Sequence, residues 1–210
     1  MQVKTDFNEK QIQILLIAEK LFAENGFEGT SIRTIAKEAD INIAMVSYYF
    51  GSKEKLLEAL IVYRTSDLKI QMENLSVENL DPIEKIDKLI ELYINRIRCN
   101  KGIYRILHFE FSSEEMEEKM KILNDVRDRN LKSIETIIHE GQAKGIFRKD
   151  VNIPLISPTI MGTFFHFSMN KAYFKKLLKL DTDEAFENYI QTTFKTHIQQ
   201  TIKALLIYES

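Results

Sequence analysis

Turn-forming residues are scarce in this chain, with 7 Gly and 3 Pro spread over 210 positions. A sandwich or barrel of short strands needs turn residues about every 10 positions. That supply is missing, so all-β folds are excluded and long helices are expected. Hydrophobic residues make up 44% of the chain and charged residues 29%, which is ordinary for a soluble domain and excludes a disordered or low-complexity reading. The length leaves room for one or two domains with a real core.

Apolar spacing then locates the helices. Ile14, Leu15, Ala18, Leu21 and Phe22 share one face of a helix closed by Asn25-Gly26. Thr30 and Ser31 read as N-cap residues of a two-turn helix with Ile32, Ile35, Ala36 and Ala39. Asp40-Ile41-Asn42 interrupts it, and a second short helix turns Val46 and Phe50 inward. Gly51 ends that helix, and Ser52 caps a longer one carrying Leu56, Leu57, Leu60, Ile61, Leu68 and Met72. Residues 74–80 read as a hinge. Asp81-Pro82-Ile83-Glu84 combines a cap, a first-turn proline and a returning carboxylate, which marks a strong helix start. Beyond it, Gly102 separates a helix ending near Ile97 from the aromatic segment Tyr104–Phe111. A long charged helix spans Glu114–Lys144, an apolar one Pro158–Leu178. Asp181 and Glu184 open a last helix with Phe186, Ile190, Phe194, Ile198, Ile202 and Leu205 as its stripe. The expectation is an all-α fold of about nine helices.

Several function classes fall away. The longest uncharged window, Val151–Asn170, holds two prolines, a glycine, a histidine and several hydroxyls, too polar for a membrane span and better suited to a buried helix. No apolar leader opens the chain, and a cytoplasmic protein is expected. The single cysteine, Cys99, forms no internal disulfide and is expected to be a small, at least half-buried thiol. No Walker loop, nucleophile elbow or dinucleotide fingerprint occurs. His108 and Glu110 are two apart, on different faces of a helix, and make no metal pair. Glu114, Glu115, Glu117 and Glu118 read as a solvated face. No catalytic residue, metal or cofactor is expected, and the chain is not read as an enzyme.

Residues 31–50 have the layout of a helix-turn-helix: two short helices, a tight link, and one apolar residue, Ile41, in the link. In such a unit the first helix braces the second, which lies in the major groove. The outward residues of the second helix are Ile43, Ala44, Ser47 and Tyr48. Periodicity alone leaves a plain helical hairpin equally open.

The run from Thr30 to Ala39, then Val46-Ser47-Tyr48-Tyr49-Phe50-Gly51-Ser52-Lys53-Glu54-Lys55-Leu56-Leu57, resembles the TetR family of bacterial transcriptional regulators. So does the lead-in Ala18-Glu19-Lys20-Leu21-Phe22 with Asn25-Gly26-Phe27, and the likeness covers about residues 8–68 without a gap. A weaker echo lies in Gly145-Ile146-Phe147-Arg148-Lys149-Asp150. The resemblance implies a DNA-binding domain over 8–68 and an effector-binding and dimerisation domain over 75–210. It implies a homodimer on a pseudo-palindromic duplex, acting as a repressor that a small molecule releases. The alternative is a DNA binder of the same fold without a small-molecule effector.

Laid on this sequence, the resemblance gives Thr30 and Ser31 hydroxyls and helix-terminal amides for a phosphate. Arg33 reaches phosphate or a guanine edge, Tyr49 and Lys53 clamp the backbone, and Ile43, Ala44, Ser47 and Tyr48 face bases. Two residues depart from the family pattern: Asp40 stands where a glycine is usual at the turn, and Ser47 where many members have tyrosine. Residues 1–65 carry 8 Lys plus Arg against 9 Asp plus Glu, so local placement rather than net charge must supply affinity.

For the effector, large flexible apolar side chains suit a cavity of adjustable shape. Tyr93, Tyr104, His108, Phe111, Met161, Phe165, His166 and Met169 are the candidate lining, and a hydrophobic or weakly acidic molecule is the expected ligand. The bland reading of these residues is core and dimer interface.

Overall fold

The computed structural model describes residues 7–110 and 121–207, with the backbone alone at 108–110. Every regular element among the described residues is helical. The order is α1 (Glu9–Asn25), α2 (Ile32–Glu38), α3 (Ile43–Phe50), α4 (Lys53–Val77), α5 (Pro82–Cys99), α6 (Lys101–Glu110), α7 (Lys121–Ala143), α8 (Ile156–Met169), α9 (Lys171–Leu177), α10 (Asp183–Tyr189) and α11 (Lys195–Leu206). The expected all-α class is what the chain adopts.

The helices fall into two compact units. One holds α1–α3, α4 as far as Ile70, α6 and the start of α7; the other holds the end of α4, most of α5, and the chain from Asn130 onward. In the first unit Ile14, Leu15 and Ala18 of α1, Ile35 of α2, Val46 of α3 and Leu56, Leu57, Leu60 and Ile61 of α4 are buried, as their spacing requires. Gly102 lies inside the first turn of α6 rather than between helices. The hinge expected over residues 74–80 is shorter, because α4 continues to Val77 with Leu75 buried. Cys99 is exposed, not half-buried.

In the second unit the apolar helix expected over Pro158–Leu178 is two helices. It breaks at Asn170, whose backbone N–H and side-chain amide both donate to the His166 carbonyl, at 3.2 and 2.8 Å. The break lets Phe174 fold back to 4.7 Å from Phe167, which also lies 5.0 Å from Phe186 and 4.8 Å from Phe194. From Asp183 to Leu206 the chain is one helical run with a π-helical turn at Ile190–Phe194. Phe186, Ile190, Phe194, Ile198 and Ile202 are spaced by four, and an α-helix rotates such a series by about 40° per step. The widened turn absorbs that drift, so the buried series ends at Leu206 while Leu205 is exposed, a correction to the expected stripe.

Candidate nucleic-acid interface

The helix-turn-helix is built by three local devices. Ser31 Oγ accepts the Thr34 N–H at 3.0 Å and caps α2. At the other end, the Ile41 N–H donates to the Ala36 carbonyl at 3.0 Å and the Asp40 N–H to that of Lys37 at 3.2 Å, the crossed pair of a Schellman stop. Such a stop needs a left-handed residue, and Asp40 takes that conformation with φ of 51°. Asn42 Oδ1 then accepts the Ala44 N–H at 2.8 Å and starts α3. Four residues, 39–42, thus turn the chain between two helices, and α3 keeps Val46 and Phe50 buried.

What remains on α3 is an open face. Tyr48 is 81% and Ile43 44% exposed, with Ala44 and Ser47 also exposed. Tyr49 is half-buried, its ring edge-on to Tyr48 at 5.3 Å between centroids. Arg33 is exposed on α2, as is Ser31 beside its capping bond. Chemically, α3 presents a methyl-rich surface, a hydroxyl and a phenol, with a guanidinium on the neighbouring helix.

Two expected contacts are placed differently. Thr30 is 2% exposed, and its Oγ1 donates toward the carbonyls of Gly26 at 2.8 Å and Leu21 at 3.2 Å. Its hydroxyl therefore closes the end of α1 and is not offered to a phosphate. Lys53 Nζ donates to the Phe27 carbonyl at 3.0 Å, lies 4.2 Å from the centre of that ring, and has Glu28 Oε2 at 3.6 Å. In the free protein this ammonium is bound to the α1–α2 link.

The proposed effector residues are divided. Tyr104 is buried in the first unit, while the His108 side chain and Phe111 lie outside the described residues. In the second unit Tyr93 is buried, Met161 and Phe165 are half-buried, and His166 and Met169 are exposed. The structure brings Tyr93 and Met161 together through Ser157, whose Oγ lies 3.5 Å from Met161 Sδ. Among the described residues the Tyr93 oxygen finds no well-formed hydrogen bond, and burial raises its pKa above the ordinary 10.0, with the Ser157 hydroxyl acting in the opposite sense. The hydroxyl is thus a protonated group on apolar ground. Among the described residues no set of three or more His, Cys, Asp or Glu converges as metal ligands.

Residues 14–60 match the family described as bacterial regulatory proteins, tetR family, and residues 82–202 match the tetracyclin repressor-like C-terminal domain. The second match alone takes in more than half of the chain. The chain belongs to the TetR family. As a TetR-family member it is a DNA-binding transcriptional regulator. It is similar to the HTH-type transcriptional repressor NicS of Pseudomonas putida, 28% identical over 177 residues and covering 80% of each chain. It is also similar to the fatty acid metabolism regulator protein of Bacillus subtilis, 25% identical over 154 residues, covering 73% of this chain and 79% of the relative. The transcriptional regulator FadR from Bacillus subtilis, solved in complex with stearoyl-CoA, shares the fold with a TM-score of 0.68 at 19% identity, over 91% of this chain and 96% of that one.

In this TetR-family chain one residue of evident importance had a signal that periodicity passes over. Glu19 lies within the apolar face of α1, four after Leu15 and three before Phe22, and it is buried. A carboxylate in that position needs partners. No helix among the described residues is long and apolar enough to cross a membrane.

Proposed function

We propose that the chain works as a homodimer in the cytoplasm, holding a pseudo-palindromic operator through α2 and α3 and releasing it when a fatty-acyl or similar hydrophobic, weakly acidic molecule occupies the second unit. The exposed face of α3 carries the reading. Ile43 and Ala44 suit thymine methyl groups, Ser47 and Tyr48 can bond base edges, and Arg33, Ser31 and Tyr49 serve the backbone. Lys53 joins them if its ammonium exchanges the Phe27 carbonyl for a phosphate. With few cations on this face, the salt dependence of binding should be moderate.

Dimerisation is supported by the outward faces of α8 and α11. Pro158, Gly162, Thr163 and His166 on one helix, and His197, Gln200 and Ala204 on the other, are small or moderately polar and exposed. Leu155 just before α8, Met169 at its end and Leu205 on α11 are large exposed apolar side chains. For the effector, the Tyr93–Ser157–Met161 group offers two hydroxyls in apolar surroundings, which suits a ligand held by packing and one or two hydrogen bonds. The relation to a fatty acid metabolism regulator, and the fold shared with a stearoyl-CoA complex, favour the acyl class.

The test is to enrich a duplex from a random pool with the wild-type protein, then follow its release by fluorescence anisotropy as stearoyl-CoA or stearate is added. Release that Phe165→Trp weakens is the expected result. A chain that binds the duplex but responds to neither compound belongs to the effector-free alternative or to another ligand class.

A further inference from the structure

The buried Glu19 is tied to two other helices of the first unit, α4 and α6. Its Oε2 accepts Arg64 Nε of α4 at 2.8 Å, with Arg64 Nη2 donating to the same oxygen, while its Oε1 accepts the backbone N–H of Ile103 at 2.9 Å. That amide belongs to the first turn of α6, where N–H groups have no partner within the helix and the dipole favours an anion. Each carboxylate oxygen thus serves one helix. The Glu19 side chain is 8% exposed and Arg64 25%, so solvent screens the pair little.

Gly102 fits this arrangement. Its φ lies outside the left-handed region and it sits in the first turn of a helix, where alanine is the better helix former. A Cβ at this position would lie 2.9 Å from Glu19 Oε1, 3.0 Å from Cγ and 3.2 Å from Cδ. With a bare Cα here α6 approaches closely enough for the Ile103 N–H to reach the carboxylate, whereas an added Cβ would require the Glu19 side chain to shift from its position.

We propose that Glu19 is a positioning residue for operator binding: it latches α6 onto α1, with Gly102 as the clearance that lets the latch close, and the closed latch holds the reading head in its DNA-competent arrangement. The helix α6 follows α5 and leads toward α7, both of which continue into the second unit. A change there that withdraws α6 must break the Glu19–Ile103 bond, leaving Glu19 paired with Arg64. This proposal rests on the DNA-binding activity and not on the identity of any effector.

The experiment uses the full chain and the duplex enriched by the wild type. Gly102→Ala and Glu19→Gln are each expected to weaken duplex binding about tenfold, a size usual for coupling between sites, and the double variant to be no weaker than the worse single. In the wild type, hydrogen exchange at the Ile103 amide should slow at least threefold when duplex is added. Leu15→Ala, which opens a hole in the core of the same unit, should lower the melting temperature yet keep that duplex-dependent slowing. Variants that bind within twofold of wild type would overturn the latch, as would Ile103 exchange indifferent to duplex, a readout that holds even where a variant fails to fold. A wild-type chain that enriches no duplex would overturn the DNA-binding reading along with it, whereas loss of the effector response alone would leave the latch standing.

Discussion

The Lys53 ammonium sits over the Phe27 ring, 4.2 Å from its centre, and donates to the carbonyl of the same residue at 3.0 Å. One side chain thereby closes the link between α1 and α2 against the start of α4, so a residue expected only to touch DNA also holds the head together. A partly desolvated cation–π contact and a charged hydrogen bond contribute about 1–2 kcal/mol together. Lys53→Ala should therefore lower the urea midpoint in the absence of DNA by a corresponding amount. An unchanged midpoint would show that the contact is idle. A phosphate role is read separately, as a drop of about 1 in the slope of log affinity against log salt.

Asp40 makes the opposite kind of prediction. It adopts φ of 51° at a Schellman stop, the position that Gly145 occupies at the end of α7 with φ of 71°. Asp accepts this conformation at a cost that glycine avoids. Asp40→Gly should keep the fold and raise stability by up to about 1 kcal/mol, part of the relief being offset by the greater freedom of the unfolded chain. A destabilised variant would mean that the Asp40 carboxylate makes a contribution of its own.

Much of this head was legible in the sequence, and its exceptions have physical causes. The spacing of Ile35, Val46 and Leu56 places the helices because each must bury one face, and Asp40-Ile41-Asn42 announces a turn through residues that tolerate left-handed angles. Thr30 misleads because a threonine before a helix can serve a phosphate or a carbonyl equally well, and only the fold brings the Gly26 carbonyl to it. The value of Glu19 depends on Arg64 and Ile103, 45 and 84 residues away in sequence. In the second unit the four-residue spacing of Phe186, Ile190, Phe194, Ile198 and Ile202 was visible, yet the π turn that keeps it inward, and hence the place of Leu206 rather than Leu205, follows from packing. The break at Asn170 likewise shows only with the packing of Phe174 on Phe167 that accompanies it.

Acid should loosen the second unit in a defined window. Lys85 is buried and donates to Glu140 Oε2 at 2.7 Å and to the Ser76 carbonyl at 3.0 Å. Bonding to Lys144 and then to Lys85 lowers the Glu140 pKa below its ordinary 4.5. A carboxyl group lowered in the folded state stabilises fully above its unfolded value, and that contribution fades as pH falls through the folded one. Glu140→Gln leaves the buried Lys85 ammonium without its anionic partner, so it should cost roughly 1–3 kcal/mol at neutral pH. The gap between variant and wild type should stay constant above about pH 5.5 and narrow as pH drops below about 4.5. Chemical denaturation across that range checks it, and a gap that persists undiminished toward pH 2 would place the cost elsewhere. Asp183, held at about 2 by Lys171 and Lys175, should lose its contribution later in the same descent.

The reading face of α3 is tested most directly by enriching duplexes from a random pool with the wild type, Tyr48→Ala and Ile43→Ala in parallel. Tyr48 is 81% exposed and Ile43 44%, and neither belongs to the buried core of the head, so both variants should fold as the wild type does. If these side chains face base edges, the wild type enriches a pseudo-palindrome, and each variant relaxes or changes the preferred base at one matched position in both half-sites, at about 1–3 kcal/mol of discrimination per position. Identical enriched sequences from all three proteins would contradict the account, because α3 would then bind DNA without reading it.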